Sequence, residues 1–396
     1  MNQRNVFLAE SLIKIVNQNY LFTGNQKKKW DRLSSLYLRK IKDSKVDSII
    51  SDLIQDMVLE LHDPHTLFFQ RKELRYCFDI NVQWINNELF LMKNKNGYPD
   101  EDYIGSKILK VNSFNIIDEL KKQQKRFAGF PTSIIRKSVI QNIIEGKYGA
   151  EKLKILVETI DKKRKTFVTY SQSIEHLFDY KSNINLIKNS FKPIIFETIN
   201  KDTLLIKILT FKFPGMSELF VSNLRLLKGF KNIIFDIRDN SGGYVSEAKQ
   251  ILSFIISKNI HMDYKIIQRT EGESKFKVSS IQVTSNQISF FLNRKLFILC
   301  NSGTASSAEF IFLKGLLLSN QDITIVGEKT AGLSGQAKIF TIDENEIIQV
   351  TTKKFISRQG KEIKEGIQPD YTVIPLISDV INNRDTILNF VLKKIN

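Results

Sequence analysis

Cysteine is nearly missing from this 396-residue chain, with Cys77 and Cys300 its only two. Two thiols cannot build the disulfide framework that staples small secreted domains. Long apolar runs are missing as well: no stretch of 18 or more apolar residues occurs, which excludes a membrane-spanning helix. The first 20 residues have the apolar spacing of an amphipathic helix (Phe7, Leu8, Leu12, Ile13, Ile15, Val16), broken by Glu10, Lys14 and Asn17. That is not the continuous core of a secretion signal. As written, the sequence points to the cytoplasm, the alternative being export with a leader already removed. Internal repeats and low-complexity linkers are lacking too. Acidic residues are outnumbered, 42 against 59 Lys and Arg, for a net charge of +17. The lysines are scattered and form no stripe with interleaved aromatics, so no nucleic-acid groove is indicated. Only four histidines occur, which gives weight to where each one stands.

What is present is enough for two or three domains, with 42% apolar residues and 28 Phe. Residues 1–77 read as helical, with the clearest stripe at Val46, Ile50, Leu53, Met57 and Leu61. This helix must stop at Asp63-Pro64, because proline disfavours the helical conformation of the residue before it. The turn His62-Asp63-Pro64-His65-Thr66 follows. Residues 78–185 have a mixed pattern: strands within Phe78–Leu91 and around Ile104–Asn112, a helix over Ile116–Gln124, and a hairpin of Leu153–Val157 with Thr166–Tyr170. From 186 to 396 strands and helices alternate. Strands are predicted at Thr203–Leu209, Asn232–Ile237, Leu296–Cys300, Ile323–Val326 and Glu346–Thr352, and helices at Ser217–Lys228, Tyr244–Ile256, Ser307–Leu318 and Ser378–Lys394. This order predicts an α/β fold with a largely parallel sheet.

Two strand ends carry the chemistry. Asn232–Ile237 runs into Arg238-Asp239-Asn240-Ser241-Gly242-Gly243, and Leu296–Cys300 into Asn301-Ser302-Gly303-Thr304-Ala305-Ser306-Ser307-Ala308-Glu309. Each reads as a buried strand opening into a tight turn and a helix, a layout that presents backbone N–H groups and a serine hydroxyl at one sheet edge. Such a layout suits acyl transfer, for which no metal or organic cofactor is needed.

At these residues the chain resembles the carboxyl-terminal processing (tail-specific) protease and tricorn-core family of serine peptidases. The segments that match, in the family's order, are Leu61–Thr66, Asp236–Gly243, Gly303–Glu309, Gly327–Gly332 and Gly366–Asp370. The resemblance implies a ClpP/crotonase-like α/β core behind an N-terminal helical region. It also implies a degenerate PDZ-like middle module, suggested by Ile104–Asn112. It makes Ser306 the nucleophile and assigns the oxyanion hole to the N–H groups of Ser307 and of Gly242 or Gly243. In the tail-specific branch the base is a lysine, and that position here is Leu333. In the tricorn-like branch it is a histidine in an Asp-x-His pattern, which Asp63-Pro64-His65 matches, so His65 becomes the general base. Glu362 and Glu365 are both candidates to orient it. Asp236, Arg238 and Asn240 read as structural, fixing the glycine turn, and Glu309 as compensating its helix dipole or pairing with Arg238. The expected substrate is a peptide or unfolded polypeptide. A non-catalytic binding protein on the same scaffold and a crotonase-like acyl-CoA enzyme are the rival readings.

Overall fold

The computed structural model describes residues 2–44, 46–70, 76–78, 80–93, 99–143, 152–173, 191–269, 276–286, 291, 294–319 and 322–395. The expected passage from the middle region to the third, at 185–186, lies outside them. Three helices open the chain: α1 (Asn2–Asn19), α2 (Gln26–Asp43) and α3 (Asp47–Leu59). Their inner faces pack Leu12, Val16, Trp30, Ile54 and Met57 against Ile348 and Val350 from near the other end of the sequence. Past α3 the chain turns at His62, whose φ is 49°. The Asp63 carboxylate then accepts the His65 N–H at 2.9 Å, closing a turn that proline alone would leave open.

A sheet in the order β18-β15-β14-β11-β10-β9 lies at the centre of the third region. Its strands are β9 (Ile194–Asn200), β10 (Thr203–Ile208), β11 (Asn232–Asp236), β14 (Lys295–Cys300), β15 (Ile323–Gly327) and β18 (Tyr371–Thr372). All neighbours run parallel except β9 and β10. Strand β11, Asn-Ile-Ile-Phe-Asp, is buried at every position, as expected for a parallel strand covered on both faces. One face is covered by α6 (Met216–Ser222), α7 (Val245–Ile255) and the helix that follows β14. The other is covered by the C-terminal helix α10 (Thr386–Ile395) through Ile387 and Val391. Because Asp236 pairs with Leu299 and Cys300 with Gly327, the loops after β11 and β14 leave the same edge of the sheet side by side. That edge is where open α/β sheets place their sites.

A second, antiparallel sheet was not expected. It joins β12 (Ile260–Arg269), β13 (Phe276–Val283), β16 (Gln336–Thr341) and β17 (Glu346–Ser357) to β1 (Leu67–Gln70), a strand in a region the sequence predicts to be helical. β1 pairs with β17, Leu67 opposite Gln349 and Gln70 opposite Glu346. The helix expected over Ser378–Lys394 is two: α9 (Ile377–Ile381) and α10, separated by Asn383 at φ 54°. The middle region forms its own sheet, β2-β8-β7-β5-β4-β3 with β6 beside β5. These strands are β2 (Tyr76–Phe78), β3 (Asn81–Ile85), β4 (Glu88–Met92), β5 (Lys107–Val111), β6 (Phe114–Asn115), β7 (Lys152–Glu158) and β8 (Arg164–Ser173). Helices α4 (Ile116–Arg126) and α5 (Thr132–Ile143) accompany them, and a separate cluster that includes Leu89, Ile108, Val111, Ile155 and Val157 fills the interior. No helix among the described residues is long and apolar enough to cross a membrane.

Candidate active site

The two loops at the sheet edge are stitched together by side chains. Thr304 Oγ1 donates to the Ile237 carbonyl at 2.8 Å, the Ala305 N–H donates to Asn240 O at 3.0 Å, and Asn301 Oδ1 accepts the Asp239 N–H at 2.9 Å. Asn240, fully buried, donates to Ile208 O and accepts the Gly242 N–H. The expectation that Asn240 fixes the glycine turn therefore holds. This rigid seam imposes φ 55° and ψ −123° on Ser306, a left-handed conformation that costs a non-glycine residue about 1–3 kcal/mol. Ser306 occupies the N-cap position of a π-helical segment, Ser307–Leu313, that continues as α8 (Lys314–Leu318). Its side chain makes no capping hydrogen bond. Its hydroxyl is left uncommitted at a helix N-terminus, where the dipole favours developing negative charge.

Glycine is required opposite this serine. A Cβ on Gly242 would lie 2.8 Å from Ser306 Cβ and 2.9 Å from Ser307 N. Gly242, at φ 91°, has its N–H committed to Asn240, which removes it as an oxyanion donor. Gly243, at φ 147°, has no hydrogen-bond acceptor for its N–H among the described residues. The segment around it is pinned by Phe211 N donating to Gly242 O and Tyr244 N donating to Phe211 O.

His65 lies in a cavity of about 340 Å3 whose lining includes Tyr20, Asp63, Leu333, Glu362 and Glu365. The residue is 8% exposed. Burial pushes its pKa below the ordinary histidine value, partly offset by the negative charges of Asp63 and Glu362. Of the two glutamates left open by the sequence, only Glu362 acts on the imidazole in this way. Glu362 itself pairs with Lys354 and Lys364, each at 3.5 Å. Tyr20 and Lys354 are missed by sequence reasoning. Lys354 is buried with its ammonium 5.1 Å from the centre of the Tyr20 ring. Tyr20 Oη and Asp63 Oδ2 are buried with no hydrogen-bond partner among the described residues, and burial and then the Asp63 charge raise the phenol's pKa. Nothing in the sequence signals either residue, since an isolated lysine or tyrosine reads as surface or core.

Ser306, Ser307 and Gly242 are thus brought together, and His65, Glu362 and Glu365 share a cavity. No hydrogen bond among the described residues joins the His65 ring to Ser306. The two groups are linked through loop 330–334, which lines the His65 cavity and is held to the serine helix by Glu309. Thr330 Oγ1, the Gly332 N–H (2.9 Å) and the Leu333 N–H (3.2 Å) all donate to the Glu309 carboxylate. The Ala331 N–H also donates to Thr304 O at 2.9 Å. This corrects the expected pairing of Glu309 with Arg238, whose guanidinium binds Asp236 and Asp385 instead. Full burial pushes the Glu309 carboxyl up to about 7 despite its three donors. Glu309→Gln turns an amide NH2 toward backbone N–H groups. It is expected to lower stability by about 2 kcal/mol, the cost of unpaired buried donors, read from the denaturation midpoint.

Residues 202–373, which carry the glycine pair, Ser306 and both glutamates, match the sequence profile described as peptidase family S41. Over those residues the chain is similar to that family. It is a serine peptidase, and His65 lies outside the matched segment. A probable CtpA-like serine protease of Staphylococcus epidermidis is 23% identical over 403 residues, covering 93% of this chain and 71% of that protein. The carboxyl-terminal-processing protease of Synechocystis is 32% identical over 153 residues, covering 38% and 33%. The crystal structure of mature CPAF superposes with a TM-score of 0.72 at 12% identity, covering 96% of this chain and 94% of that one. The photosystem II D1 C-terminal processing protease gives 0.51 at 16%, covering 93% and 92%. These two likenesses are of fold, and they show that the α/β architecture described above is that of S41 proteases.

Proposed function

We propose that this S41 peptidase hydrolyses peptides or unfolded protein tails through an acyl-enzyme on Ser306, with His65 as general base. The observation that carries the reading is the Ser306 hydroxyl: strained, uncapped, at a helix N-terminus, and packed against a glycine that admits no Cβ. His65, neutral near pH 7, takes the Ser306 Oγ proton as the oxygen attacks the scissile carbonyl carbon. The oxyanion is received by the N–H groups of Gly243 and Ser307. The imidazolium returns its proton to the leaving amine, and water repeats the sequence to release the acid. Glu362 orients and charges against the imidazole, and the apo separation closes when substrate fills the cavity, as catalytic hydrogen bonds commonly do. The organisation that fits this reading has a helical region over 1–77 supplying the base, a PDZ-like module over 78–185 and a peptidase core over 186–396. A fluorophosphonate probe tests it: wild type should be labelled on Ser306 and Ser306→Ala should not. Absence of label on folded wild type would favour a non-catalytic binder.

The pH dependence has a definite sign. Burial lowers the His65 pKa, so the neutral base persists below the pH at which a free histidine, of pKa about 6.5, protonates. The acid limb of kcat/KM should therefore fall below pH 6.5. Unfolded His65 binds its proton at higher pH than folded His65, so its contribution to stability is also lost as pH drops through that window. A kcat/KM profile between pH 4.5 and 8 measures the first effect.

A further inference from the structure

Strand β1 has a partner on one side only. It ends its sheet, paired with β17, and no other strand joins it among the described residues. Natural edge strands are guarded by lysine, proline or a bulge. β1, Leu-Phe-Phe-Gln, has none of these, and it borders a cavity of about 640 Å3. The opposite walls bring Asp52 of α3, Phe127 after α4, Lys137 of α5 and Lys212 of the third region. The position of this cavity ties it to the chemistry. β1 begins two residues after His65, and Lys212 follows Phe211, the residue that holds the Gly242–Gly243 backbone.

We propose that the free edge of β1 captures the substrate as an added β-strand, an extended polypeptide segment of about four residues with alternating apolar and acidic side chains. The inference rests on the peptidase reading and names how its substrate is held. Unpaired N–H and C=O groups along an edge bind main chain without regard to sequence, and four residues of strand span about 13 Å. Side-chain preference comes from the walls. Phe69 is 44% exposed beside the cavity and Phe127 is buried there. Lys137 and Lys212 have no acidic partner among the described residues and outnumber Asp52. A segment seated here runs between the turn that bears the base and the loop that bears the oxyanion donors, with the scissile bond at one end.

The full-length Ser306→Ala protein is titrated with a fluorescein-labelled eight-residue peptide of alternating valine and glutamate, and with the same peptide N-methylated at every second residue. Anisotropy should show N-methylation weakening binding at least tenfold, because it removes the main-chain donors. Phe69→Asp should weaken the parent peptide by a similar factor with an unchanged melting temperature. A benzophenone side chain at position 69 should crosslink to the peptide, which keeps the test available if the aspartate variant fails to fold. Equal affinities for both peptides together with no crosslink overturn the site. So does a dimer that Phe69→Asp dissociates without changing peptide affinity, since the edge would then serve a second copy. If wild type cleaves casein while both peptides bind alike, the edge site falls and hydrolysis stands. Edge-dependent binding with no hydrolysis sinks the peptidase mechanism alone.

Discussion

On the proposed mechanism, His65→Ala is expected to reduce kcat/KM toward an unfolded substrate such as casein by about four orders of magnitude, close to the effect of Ser306→Ala, because a base and its nucleophile act as one unit. Loss of fold would not explain such a result. The imidazole packs in a cavity and makes no described side-chain hydrogen bond, so truncation leaves the backbone bonds of the turn intact: His65 N–H to Asp63, and Gln349 Nε2 to His65 O. His62→Ala supplies the contrast. It lines the same cavity, but its N–H donates to Leu59 O and not to Asp63, and its removal should change kcat by less than about threefold. If His65→Ala retained a tenth of wild-type activity with a normal melting temperature, the base would have to be sought elsewhere. Lys329, on the same cavity wall, would be tested next.

Gly243→Ala should be nearly as damaging, through the backbone. Its Cβ would overlap the Phe211 carbonyl and lie 2.5 Å from Lys212 N, a distance that real Cβ atoms do not tolerate. Gly243 also holds φ 147°, outside the range that L-residues adopt easily. Strain and overpacking together are expected to cost about 3 kcal/mol or more. The Gly243 N–H, proposed above as an oxyanion donor, would shift with the loop, so kcat should fall by about 100-fold in whatever protein folds. Gly360→Ala is the matched control. It too has positive φ, 79°, but nothing within 4 Å of the added methyl, so about 1 kcal/mol is lost and turnover is kept. Parallel urea denaturation and casein hydrolysis separate the two effects.

The parallel sheet and the serine side of the site were legible because their signals are local. An apolar run such as Ile233–Ile237 that meets a glycine pair, or one that meets Gly303-Thr304-Ala305, writes strand, turn and helix into a dozen consecutive residues. The antiparallel sheet was not legible. β1 is four residues long and follows a helical stripe, and what makes it a strand is pairing with β17 near the far end of the chain, a context that propensity does not encode. His65, the proposed base, was singled out only through its resemblance to a known pattern. Its environment was not visible at all: Lys354 reads as a solvated lysine, yet it is buried because Tyr20, Gln26 and Glu362 surround its ammonium. Glu309 was assigned to its own helix dipole or to Arg238 because two of its true partners, Gly332 and Leu333, offer only backbone N–H groups and the third, Thr330, lies 21 residues further on, a combination no sequence pattern advertises.

Cys300 closes β14 six residues before Ser306, the proposed nucleophile. Its thiol is buried, and its pKa is pushed up to about 12 by that burial and by the Glu309 and Glu328 charges. At neutral pH it is therefore a protonated sulfur, inert to alkylating agents while the strand stays closed. The molecule carries a built-in clock in the strand that leads to Ser306, and the rate at which iodoacetamide reaches that sulfur counts how often the sheet edge opens.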